Sequence, residues 1–174
     1  MENFFIGLVF LFLNFNITVS NHAIGLIPTF VGYIFIRRGI NEFEGKVPHF
    51  EKIALFSRIM IFVGIAVYIM DFLALTIGGV YFIVSVAMLA AAVYVSFNIT
   101  EGVLWLEKEK SVDLLGQQSR RMWKFMVIAL CVVNVTVFIP FLNIIATLVS
   151  LVLQIMFLVA FNKTRNEAAN HYLY

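Results

Sequence analysis

Between Ile53 and Gly79 the chain is apolar over a length that can cross a bilayer, and this run holds Asp71, the only acidic residue inside any apolar run. Reading it in alternating steps of four and three puts Ser57, Gly64, Tyr68, Asp71 and Gly78 on one stripe among Ile, Phe, Val, Met and Leu. A carboxylate at such depth costs roughly 2.5 to 3.5 kcal/mol. The stripe is therefore expected to face protein or water, and a lipid-embedded helix bundle follows as the frame for the rest of the chain.

Composition supports that frame. Of 174 residues, 62% are hydrophobic and 13% charged, whereas about a quarter are charged in soluble domains. The apolar segments are near-continuous, which excludes a barrel of alternating strands of about ten residues. The expected fold is all-α: one polytopic integral membrane domain over 1–174, with about six transmembrane helices in three hairpins. The segments lie at about 4–20, 23–38, 53–78, 80–100, 122–139 and 141–161, followed by a polar, frayed tail at 162–174. The first two are short for a hydrocarbon core of about 30 Å, so local thinning or a hairpin that only partly spans stays open. No basic residue precedes the first apolar run, so the N-terminus reads as a mature helix rather than a signal peptide.

All twelve Lys and Arg fall in three stretches: Arg37 to Arg58, Lys108 to Lys124, and Lys163 with Arg165. The connections at Ser20 to Ala23, Gly78 to Val80 and Pro140 carry none. The bias of basic residues toward the cytoplasm then puts both termini inside and three tight turns outside. Residues 37–52 read as a solvated connector. The interval Thr100 to Trp123 reads as a helical extension or an interfacial helix, with Trp105, Val112 and Leu115 roughly on one face and both tryptophans at headgroup level. The basic residues form no single patch, so no nucleic-acid partner is expected.

Small and polar residues recur at helical spacing. The first segment places Gly7, Asn14, Thr18 and Asn21 on one face, and the second places Gly25, Thr29, Gly32 and Gly39. In lipid, such stripes let backbones approach closely. Pro28 should bend the second helix or delay its start. The fourth segment has Ser85, Ala92 and Ser96 on one face and Ala87, Ala91 and Asn98 on another, which suits a central helix. Asn143, Thr147, Ser150 and Gln154 make the clearest polar stripe, in the sixth.

The stretch Gly25-Leu-Ile-Pro28-Thr29-Phe-Val-Gly32-Tyr33-Ile-Phe-Ile resembles a GLLPDFIGYILI-like segment of small uncharacterised multi-pass membrane proteins of Gram-positive bacteria. The resemblance covers about the first 40 residues, and Thr29 stands where that segment has an acidic residue. It implies placement in a bacterial plasma membrane and brings no activity with it.

Assigning each helix a direction puts Asn14, Asn16, Thr18, Asp71, Asn134, Thr136, Asn143 and Thr147 in the outer half of the bilayer. A polar pocket of Asp71, Tyr68, Asn14, Thr18, Asn134, Asn143 and Thr147 is the candidate site. An alternative is that Asp71 only ties helices together. Enzyme chemistry is not expected, because Asp71 has no second acid in another helix and the sequence has no HExxH motif and no Gly-rich phosphate loop. His22 falls outside while His49 and His171 fall inside, so no cofactor or metal is expected. Cys131 reads as a small packing residue. Two function classes follow: an accessory, assembly or sensing membrane subunit, or a small transporter or permeation protein taking a cation, proton or small polar solute near Asp71. Either suits a homo-oligomer or a larger membrane partner.

Overall fold

The computed structural model describes residues 1–13, 16–19, 22–25, 28–73 and 78–171. It is helical apart from one short hairpin, and it divides into two compact units, Met1–Gly102 and Val103–Tyr174. Each unit is taken by itself.

In the first unit, α1 (Glu2–Phe12) is followed by β1 (Asn16–Val19), β2 (His22–Gly25), α2 (Thr29–Glu42), the short α3 (Pro48–Lys52) and α4 (Ala54–Phe72). The expected helices at 4–20 and 23–38 are thus corrected. The first ends at Phe12, and the chain returns through an antiparallel pair with Val19 opposite His22 and Asn16 opposite Gly25. The sequence supplies the reason: Ile17, Thr18 and Val19 are β-branched, which favours extended backbone, while Asn14, Asn16 and Asn21 are weak helix formers. Pro28 is the N-cap residue of α2 and delays its start, as expected. Pro48 and Pro140 likewise stand in the first turn of α3 and α7, where a missing N–H breaks no intrahelical bond.

Close backbone approach holds α1 on α2. A Cβ on Gly7 would lie 2.6 Å from Ile36 Cγ1 and 2.8 Å from the Gly32 carbonyl oxygen, and one on Gly39 would lie 2.9 Å from the Phe4 ring. Glu42 closes the same pair by accepting from the Met1 amino group at 3.1 Å and from the Asn3 side chain. At this end Phe4, Phe43 and Phe50 form a buried ring cluster, with Phe4 and Phe50 centroids 4.7 Å apart and Phe43 and Phe50 5.4 Å apart. The reading of 37–52 as a solvated connector is therefore corrected. Its charged residues face solvent, but Phe43, Val47 and Phe50 are fully buried, and α3 exists to turn Phe50 inward.

Helix α5 (Gly78–Lys110) runs 33 residues, about 50 Å at 1.5 Å per residue. It exceeds a bilayer core, so the expected helical extension past residue 100 is present as far as Lys110. Its described first half is largely exposed, including Ser85 and Ala87. Ala91, Ala92, Ser96 and Asn98 are buried, so the two-sided packing expected of this helix belongs to its second half.

In the second unit, α6 (Gly116–Thr136) and α7 (Pro140–Asn170) pack as a helical hairpin. The tail expected to fray from residue 162 is instead the last turns of α7. Thr164 and Ala168 are buried there, which holds the turns in place. Among the described residues, three stretches are long and apolar enough to cross a membrane: Pro48–Phe72, Ile83–Lys110 and Pro140–Asn170. Their outer faces carry large apolar side chains such as Phe62 (70% exposed) and Phe141 (74%), the surface that lipid rather than water accommodates.

Candidate functional site

Asp71 is the next-to-last residue of α4, which stops at Phe72 rather than continuing to residue 78. Gly78 accordingly opens α5 and leaves the stripe on which the sequence placed it. The remainder of that stripe behaves as expected. Ser57 and Gly64 are buried, a Cβ on Gly64 would lie 2.9 Å from the Phe30 Cβ of α2, and the Tyr68 ring meets Phe30 edge-on at 6.0 Å. The stripe is the surface by which α4 packs on α2. Asp71 stands at its end, half-buried, where the carboxylate gains nothing from the negative end of the helix dipole. Ser57 and Tyr33 are fully buried, and their hydroxyls find no hydrogen-bond partner among the described residues.

The other candidate residues fall elsewhere. Asn14 lies outside the described residues. Thr18 is in β1, paired with Ala23. Asn134, Asn143 and Thr147 belong to the second unit. Asn134 Nδ2 donates to the Leu130 carbonyl at 2.8 Å, one turn back on its own helix. Asn143 Nδ2 donates across the hairpin to the Val133 carbonyl at 2.9 Å, and Thr136 Oγ1 donates to the Val132 carbonyl at 2.9 Å. The Asn143 bond fastens the start of α7 to the end of α6, while the other two stay within α6. Farther along the sixth-segment stripe, Ser150 is buried and receives Gln154 Nε2 on its hydroxyl at 3.1 Å, whereas Thr147 is exposed. Cys131 is exposed on α6 and is not the packing residue expected, because the buried face of that helix runs through Ser119, Met126 and Ala129.

Features that the sequence reading did not single out do the most to place the second unit. The Glu107 carboxylate, in the last turn of α5, accepts the backbone N–H groups of Leu114 at 2.9 Å and Gly116 at 2.6 Å. Ser111 and Leu115 adopt left-handed backbone (φ 51° and 58°) to make that loop, so the helical face once drawn through Val112 and Leu115 does not form. A side chain at Gly116 would strike the carboxylate, with a Cβ 2.8 Å from Oε2. The carboxylate thus takes the role of an N-cap, placed by its own helix at the positive start of the next. The available signal was a Glu followed nine residues later by a Gly that opens an apolar helix. Farther in, Ser119 Oγ and Thr164 Oγ1 share a hydrogen bond of 2.8 Å, both fully buried.

Among the described residues no group of three or more His, Cys, Asp or Glu side chains is placed to hold a metal ion. The chain matches no family model, no curated protein and no solved structure. Length and apolar surface define the class: a helical protein with stretches suited to crossing a membrane.

Proposed function

We propose that the chain is a multi-pass membrane protein that serves as an accessory or assembly subunit, using its intramembrane polar groups to pack helices. The observation that supports this reading is where those groups bond. Asn134, Thr136 and Asn143 donate to backbone carbonyls of α6, and Gln154 donates to Ser150, rather than all four turning toward one space. Glycine contacts at Gly7, Gly32, Gly39 and Gly64 do the same work in the first unit. The reading includes both termini in the cytoplasm of a bacterial cell, on the strength of the loop charge bias and the resemblance at Gly25 to Tyr33.

A second reading, a small transporter using Asp71, draws on one observation: the carboxylate is half-buried at a helix end, within a stretch long enough to cross a membrane. Flux measurements separate the two. Purified chain in proteoliposomes, given imposed proton, sodium and potassium gradients, is expected to pass no more ion than empty vesicles. In mild detergent it is expected to migrate with partners or further copies of itself. Ion flux that disappears in Asp71→Asn, from protein that still folds, would replace the accessory reading with transport. Single-cysteine labelling in a Cys131→Ser background tests the topology, and external labelling at Gln117 would overturn it.

A further inference from the structure

We draw no further inference here: the strongest candidate, the buried hydroxyls of Tyr33 in α2 and Ser57 in α4 that find no hydrogen-bond partner among the described residues, carries no proposal, because both side chains are fully enclosed and nothing in the structure shows what ligand would reach them.

Discussion

Adding a single methyl group at Gly7 tests whether α1 and α2 are in backbone contact. The new Cβ would sit 2.6 Å from Ile36 Cγ1 and 2.8 Å from the carbonyl oxygen of Gly32. Ile36 is fully buried and has little room to turn, and the carbonyl is part of the α2 backbone, so the helices must separate by several tenths of an ångström. Overpacking of this kind costs about 1 to 3 kcal/mol. Against it stands the gain from replacing a helix-interior glycine by alanine, about 1 kcal/mol. The net loss for Gly7→Ala is then up to about 2 kcal/mol, and at about 2 to 4 °C per kcal/mol for a chain of this size the melting temperature should fall by up to roughly 8 °C. Thermal unfolding in one detergent, followed by circular dichroism, measures it, with Val31→Leu and Ile65→Leu as controls that keep bulk on half-buried positions. A Gly7→Ala variant that melts above wild type by the 2 to 4 °C that about 1 kcal/mol of helix propensity gives would refute close approach, because propensity would then be the only effect acting.

Glu107→Ala removes a charged acceptor shared by two amides and should cost about 3 to 6 kcal/mol, at 1.5 to 3 kcal/mol for each bond to a charged group; hydrogen exchange at Leu114 and Gly116 should quicken, and unchanged exchange would show that the carboxylate does not hold the start of α6. Ser119→Ala leaves the buried Thr164 hydroxyl without its partner and should cost about 1 to 3 kcal/mol, whereas Ser119→Ala with Thr164→Val should recover part of that loss in chemical unfolding. Failure of the double variant to recover would mean the bond contributes little. Phe50→Ala empties the centre of the ring cluster and should cost about 3 to 5 kcal/mol, read as the loss of a cooperative thermal transition in the first unit; a loss below 1 kcal/mol would mean that the ring is not a core residue.

Helical membrane segments were legible because their cause is local: long uncharged runs such as 141–161 permit little else. The glycine stripes were legible for a related reason, since helical period alone brings Gly32 and Gly39 to one face, and both meet α1. Phe43 and Phe50 were not. They stand in a stretch with Glu42, Glu44, Lys46 and His49, and only the arrival of Phe4 from another helix gives them an interior. The early end of the first helix was half legible, because β-branched residues and asparagines signalled a change while apolar length argued for continuation. Of the candidate site, Tyr68 lies on the α4 face that meets Phe30 of α2. Asn134 and Asn143 shared a level for the expected reason, the hairpin at Pro140, but their amides bond carbonyls, which no spacing rule reveals. Glu107 escaped notice because a charge in a charged interval gives no sign that backbone amides nine residues on will curl back to it.

The contact between Phe50 and Gly102 bears on how the chain is made. A side chain at Gly102 would run into the Phe50 ring, so the ring is seated against bare α5 backbone. Phe4, Phe43 and Phe50 leave the ribosome early, yet the wall that completes their enclosure is more than 50 residues farther on. Helix α4 and the first part of α5 are made in between. Until then the aromatic cluster of the nascent chain is open on one side. Biogenesis of the first unit therefore has a waiting period built into its order of synthesis, and a stalled chain ending before Gly102 exposes that cluster to whatever chaperone or protease attends the membrane.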